Sequence, residues 1–362
     1  MHIPQASKII QAMEEESVAN TWLGGGRHRS PSYDEVVSVQ NVFAAWRTFV
    51  KGKRTRSDVM VFERHVEDRL FDLHDRLGRG AWEHGPYETF TICDPKPRVI
   101  HKASVEDRIV HHAIVRVIEP VFDRSFIFDS WSCREKKGTH AAVARLQSQL
   151  RKLKQQTRGP IWILKADIRR YFASVDQDVL LALIGRRIRD SRLMGLVRGI
   201  VRSHKPGLPL GNLTSQLFAN VYLDPFDHFV KEQLRSSVYL RYCDDFILAS
   251  ASRDVLVRRL SSVSRYLQKS LHLELHPNKI VLKPWHQGID WLGAVVYPDR
   301  VMMRAKTKLR MRRNFDGLVW KYLDRTVDAM QLRSTFASYD GLLQTTDEGD
   351  TRGFYRELFR CL

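Results

Sequence analysis

Cysteine is scarce in this 362-residue chain. The four present, Cys93, Cys133, Cys243 and Cys361, lie far apart and form no CxxC pair. That scatter argues against a zinc module or a disulfide framework and fits reduced thiols in a cytosolic setting. No apolar run approaches the length of a membrane span. Residues 1–20 have no apolar core and carry Glu14-Glu15-Glu16, so no secretory signal is expected. The histidines, including His111-His112, show no ligand spacing, and repeats and low-complexity tracts are missing. Acidic charge is also short: 41 Asp+Glu face 59 Lys+Arg, which leaves a formal charge of +18. Such a balance points to a polyanionic partner, nucleic acid ahead of an acidic membrane, because no basic amphipathic helix with a Trp/Leu face stands out.

The length suffices for two or three units with real cores. Residues 1 to about 35 read as a polar lead-in that ends in a Gly-rich turn, Gly24 to Pro31. Helical spacing covers 34–78, with Gly78 and Gly80 as the stop. Tyr87 to Ile100 alternates and contains Pro95 and Pro97, which predicts a β-hairpin with Lys96 and Arg98 near its tip or return strand. Ser104 and Asp107 predict a capped helix with a stripe Val105, Ile109, Ala113, Val117 and Val121. Further helices are expected over 178–203, after the Gly/Pro turn that opens 208–223, over 253–271 and from Ala305 onward. Short strands are expected at 161–164, 238–250, 280–282 and 291–297.

Tyr242-Cys243-Asp244-Asp245 sits between two apolar runs, Val238-Tyr239-Leu240 and Phe246-Ile247-Leu248. The pattern predicts two strands with the aspartates on an exposed hairpin turn. Adjacent carboxylates repel unless a cation lies between them. Asp167 ends another apolar run, Trp162-Ile163-Leu164, and would join the pair if the strands are sheet neighbours. Such a set suits divalent cations that clamp a phosphoryl group, since Mg²⁺ keeps water and phosphate in its shell and needs few protein oxygens. A strand-end or turn aspartate with only local hydrogen bonds is the plainer reading of each residue alone.

The remaining motifs carry a family resemblance. Lys96 to Ile100 with Glu106 to Val110, Lys165 to Phe172, Leu208 to Gln216, Tyr242 to Asp245, Leu273 to Lys279 and Asp290 to Gly293 occur in the order found in reverse transcriptases of the group II intron-like superfamily. Leu210 stands where that family usually has Gln, and Ser215-Gln216 where it has Ser-Pro. With Leu217 to Asn220 and Ser132 to Ala141, this most resembles the enzymes of diversity-generating retroelements. Cys243 and Tyr339-Asp340-Gly341 depart from the usual pattern.

The resemblance implies an α+β right-hand polymerase. A helical extension (1–84) would be followed by fingers (85–160), a palm with an antiparallel sheet backed by helices and a primer grip (161–300), and a short helical thumb (301–362). It implies RNA-directed synthesis of error-prone cDNA from a template repeat. Asp167, Asp244 and Asp245 would be catalytic and, with Ile168, would hold two Mg²⁺ ions, with Mn²⁺ as a substitute. Lys96, Arg98, Phe172, Leu210, Gly211 and Lys279 would bind the dNTP, Phe172 as the ring that excludes a 2′-hydroxyl. Trp291, Leu292, Gly293, Lys306, Lys308 and Arg310 would bind the RNA–DNA hybrid. Leu210 either tolerates mispairs, because it makes no polar contact, or is simple packing. Template RNA and a basic helical accessory protein, arranged as a ring, are the implied partners, in the cytoplasm of a bacterial or phage-infected cell. With only the stretch after residue 300 to follow the primer grip, no RNase H, endonuclease, integrase or zinc-finger module is expected. The other readings are a phage-defence reverse transcriptase and an inactive RNA-binding scaffold.

Overall fold

Ser32 opens helix Tyr33–Val37 with a capping box: its hydroxyl accepts from the Glu35 amide while the Glu35 carboxylate accepts from the Ser32 amide. The computed structural model describes residues 30–93, 97–343, 346–347 and 353. Lys96, Cys361 and the lead-in 1–29 lie outside them. The chain divides into two units, one comprising residues up to Ser125 with Phe172–Tyr222, the other Phe126–Tyr171 with Leu223 onward.

In the first unit, helices Tyr33–Val37, Val39–Val50 and Ser57–Glu63 pack with helix Val105–Asp123, and Val66–Gly78 packs on the first three. Ser104 caps the last of these, its hydroxyl accepting from the Asp107 amide at 3.0 Å. Its buried face begins as expected with Val105, Ile109 and Ala113, then moves to Ile114, Ile118 and Phe122, leaving Val117 and Val121 half-buried. The cause is geometric: with 3.6 residues per turn, each i+4 step drifts about 40° around the axis. Arg108 pairs with Asp58. Strands β1 (Glu88–Ile92) and β2 (Arg98–Lys102) form an antiparallel two-stranded sheet. The alternation of this hairpin marks no buried face: all of β1 is exposed, Phe90 and Ile92 included. Helices Gln177–Gly185 and Ser191–Arg202 start at Asp176 and Asp190, whose carboxylates accept main-chain N–H groups.

The second unit is built on a four-stranded antiparallel sheet of β3 (Trp162–Asp167), β4 (Val238–Tyr242), β5 (Asp245–Ser250) and β6 (Val281–Pro284), in the order β4-β5-β3-β6. Ile163, Val238, Leu240, Ile247 and Ala249 share a core with Ala142, Val143, Leu146 and Leu150 of helix Thr139–Gln156. Tyr239 and Phe246, which alternate with these, pack on Phe226, itself beside Tyr266 of helix Arg253–Leu271. Cover on both faces explains why β4 and β5 read as continuous apolar runs. Each fully buried Leu or Ile here contributes about 1.5–3 kcal/mol. A second antiparallel sheet holds β7 (Ile289–Trp291), β8 (Ala294–Val296) and β9 (Val301–Met303). Strand β9 is not expected from the sequence, because three residues carry too little alternation to register. Helices Ala305–Leu323 and Ala329–Leu343 follow and pack through Met311, Phe315, Leu332 and Leu343. The architecture is α+β with antiparallel sheets, as expected.

Candidate active site

In the second unit, β3 and β5 pair so that Asp167 lies directly opposite Asp245. The β4–β5 turn is only Cys243-Asp244, since Tyr242 pairs with Asp245. Cys243 adopts φ +56°, a left-handed conformation that costs an L-residue roughly 1–2 kcal/mol. The Ile168 amide donates to the Asp244 carbonyl at 3.1 Å, and the His276 amide to the Asp167 carbonyl at 2.7 Å. Three carboxylates from two distant segments therefore meet at one end of the sheet.

The turn is not exposed, contrary to the sequence expectation: Asp244 and Asp245 are half-buried, because helices cover both faces of the strands that carry them. Burial, then the charge of Asp167, raises the Asp244 pKa, with Lys279 opposing. Burial raises Asp245 to about 7; Lys165 opposes this, and Asp167 and Asp244 add to it. Burial also pushes the Cys243 thiol up, so it is no ready thiolate. Two lysines reach in. Lys279 Nζ lies 2.7 Å from Asp167 Oδ1, and Lys165 Nζ lies 3.2 Å from Asp245 Oδ2.

A divalent cation that prefers oxygen fits this donor set. The Asp245 Oδ1 atom is buried with no hydrogen-bond partner, and Asp244 and Asp245 are raised by burial and by neighbouring carboxylate charge. Among the described residues no group of three or more His, Cys, Asp or Glu side chains is arranged to hold a metal ion by itself. An ion here would take the rest of its shell from water and phosphate, which is the habit of Mg²⁺. Ile168 is itself buried, so only its main chain is available to such an ion.

Lys165 does not stand out in the sequence. Residues i and i+2 of a strand share a face, so a lysine two before Asp167 is the available signal. It stands across from Ile247 in register, diagonal to Asp245, and also donates to the Asp290 carbonyl at 2.8 Å. That carbonyl precedes the β7–β8 turn, Leu292-Gly293, where both residues have positive φ (+52° and +87°). Arg304 closes the turn, its amide donating to the Gly293 carbonyl and its guanidinium to the Asp290 carboxylate. Trp291 is fully buried in the sheet core, so it shapes the turn from below and offers no contact surface. Lys306, Lys308 and Arg310 lie on helix Ala305–Leu323, Lys306 and Arg310 exposed and Lys308 half-buried.

Arg98, Phe172, Leu210 and Gly211 fall in the first unit, where main-chain bonds join their segments. The Leu208 amide donates to the Phe172 carbonyl at 2.7 Å, and the His101 amide to the Leu210 carbonyl at 2.9 Å. Gly211, at φ +115°, lies against Ile100 and the His101 carbonyl of β2. Arg98 begins β2 and is exposed; Phe172 and Leu210 are half-buried.

Residues 93–296, more than half of the chain, match the family described as reverse transcriptase (RNA-dependent DNA polymerase). The chain is 26% identical over 265 residues to protein YkfC of Escherichia coli, a match that covers 61% of this chain and 69% of that protein. It is 26% identical over 177 residues to the group II intron-encoded protein LtrA of Lactococcus lactis, covering 45% of this chain and only 28% of LtrA. A solved structure of apo telomerase from Candida tropicalis aligns with a TM-score of 0.49 at 12% identity, over 61% of this chain and 49% of that one. The chain belongs to the reverse transcriptase family, and group II intron-encoded proteins are among its relatives.

Proposed function

We propose that this chain is an RNA-directed DNA polymerase that works by two-metal phosphoryl transfer. The observation that carries the reading is the register of Asp167 against Asp245, with Asp244 on the adjoining turn. Those three side chains would hold the cations, which when bound supply charge neutralisation at the reacting phosphate and a more acidic attacking 3′-hydroxyl. Lys279 places a cation beside Asp167, on the side where a triphosphate would be held. Lys165 orients Asp245 through its charge and anchors to the Asp290 carbonyl. Mg²⁺ is the proposed ion, with Mn²⁺ able to replace it.

In its finer form the reading is a low-fidelity enzyme of a diversity-generating retroelement. It copies a template RNA repeat in the cytoplasm of a bacterial or phage-infected cell, with a basic helical accessory protein that binds the same RNA as a ring. The stretches Leu208 to Gln216 and Ser132 to Ala141 support that form.

Primer extension on an RNA template tests the activity. Asp244→Asn loses charge at the site but not a packing group, so the protein should fold. DNA synthesis should drop by about a hundredfold or more, because a cation's charge stabilisation is worth several kcal/mol. Near-normal extension by the variant would rule out the metal assignment. A template/variable repeat pair beside the gene supports the retroelement form, and its absence would favour a phage-defence role.

A further inference from the structure

Among the described residues Arg241 is the largest charged side chain with no exposure at all, and its partner Asp227 is equally buried. The guanidinium forks onto the carboxylate, Nε at 2.7 Å from Oδ1 and Nη2 at 2.6 Å from Oδ2. Nη2 also donates to Ser130 Oγ at 3.0 Å, and the Tyr239 hydroxyl donates to Asp227 Oδ1 at 2.6 Å. The Arg241 main chain is fixed as well: its amide donates to the Asp129 carbonyl and its carbonyl accepts from the Trp131 amide, each at 2.9 Å. The remaining arm, Nη1, donates to the carbonyl of Cys243 at 3.0 Å.

Fold stability alone does not account for this pair. Desolvating two charges costs several kcal/mol per ion, and apolar residues of similar size often serve a core as well or better. What an apolar pair could not supply is the donor to Cys243. That residue holds the left-handed φ on which the two-residue turn depends, and its carbonyl belongs to the peptide that leads into Asp244. Fixing that peptide plane fixes where the Asp244 carboxylate leaves the main chain.

We propose that Arg241, held by Asp227, is the positioning residue of the catalytic turn: it acts on Asp244 through the Cys243 carbonyl and touches neither ion nor substrate. The proposal rests on the polymerase reading of the carboxylates for its kinetic consequence, but not for its structural one. Partners that orient the ligands of a metal typically matter by 10–100-fold in affinity or activity, on the order of what is expected here.

The test compares the wild-type chain, Arg241→Lys and the paired Arg241→Met/Asp227→Leu. Three measurements are made: thermal midpoint, Mn²⁺ binding by electron paramagnetic resonance without nucleotide, and kcat and KM for dNTP in primer extension. The paired variant should melt near wild type, bind Mn²⁺ about tenfold or more weakly, and lose kcat by a similar factor, with KM for dNTP within about twofold. Arg241→Lys keeps a buried cation for Asp227 but lacks the fork, and should show the same split. Wild-type Mn²⁺ binding and kcat in either folded variant would overturn the proposal, even if the other failed to fold. A wild-type chain that binds Mn²⁺ but extends no primer would refute the polymerase reading, while Mn²⁺ binding still decides the role of Arg241.

Discussion

At the scale of single residues, burial sets charge states that an exposed residue would not have. Burial lowers His111 to about 3, with His84, His112 and Arg108 adding to the shift, and its Nε2 atom has no hydrogen-bond partner. The sign follows from linkage. Below pH ~6.5 the unfolded chain takes up a proton that folded His111 refuses, so its contribution to stability is lost as pH falls from 7 toward 3. At pH 5 the loss is about 2 kcal/mol. Asp245 works in the opposite direction: with a folded pKa of about 7, it costs stability as pH rises from about 4 to 7. His111→Gln should therefore flatten the acid limb of denaturant-unfolding stability between pH 7 and 5. An unchanged difference between variant and wild type across that range would show that His111 does not titrate this way. Leu210 is the second residue-scale case. Its carbonyl is tied to His101 and its aliphatic side chain is half-buried, so it supplies no polar contact to a nascent pair. One polar contact is worth roughly 0.5–1.5 kcal/mol, up to about tenfold in discrimination. Leu210→Gln should lower the misincorporation frequency, read by sequencing cDNA from one template, with a smaller effect on yield. Identical error spectra would leave Leu210 as packing.

Elements are held by contacts that local propensity does not reveal. The loop ahead of helix Leu213–His228 turns at Gly207, at φ +63°, where an added Cβ would lie 2.1 Å from the Phe172 carbonyl. Gln177 secures the same loop, its amide donating to the carbonyls of Val201, His204 and Gly207. Gly207→Ala should cost more than the roughly 1–2 kcal/mol of a left-handed L-residue, since the clash adds to it. Gly199→Ala is the matching control: it lies in helix Ser191–Arg202 with nothing near its Cβ position, and should gain about 0.5–1 kcal/mol. Thermal melts that rank the two variants the other way would overturn this account of the loop. The hairpin β1–β2 shows the limit of pattern reading. Its strands are foreseeable, but Phe90, Ile92 and Val99 remain exposed and Ile100 only half-buried, because a two-stranded sheet does not by itself provide a core.

For the whole molecule, the charge of +18 is the dominant fact. Binding to RNA should weaken as salt rises, because each neutralised phosphate releases counterions. Replacing Lys306, Lys308 and Arg310 with Ala should reduce the slope of log K against log[salt] by about 2–3, at roughly 0.7–0.9 for each phosphate no longer neutralised. An unchanged slope would remove helix Ala305–Leu323 from the nucleic-acid surface.

Family and most of the elements are legible from residue order alone. Asp167, Asp244 and Asp245 stand out because apolar runs bracket them, and Ser104 because a cap announces itself three residues ahead of its partner. Short-range patterns of this kind follow from backbone geometry. The rest depends on tertiary packing. The register that sets Asp167 across from Asp245, the lysine diagonal to it and the Asp227–Arg241 fork all join residues distant in sequence, or depend on the side chain's direction. Burial does likewise, turning an expected exposed turn into a half-buried one and a contact tryptophan, Trp291, into core. Both depend on which helix covers which face of a sheet, and no local window of sequence carries that information.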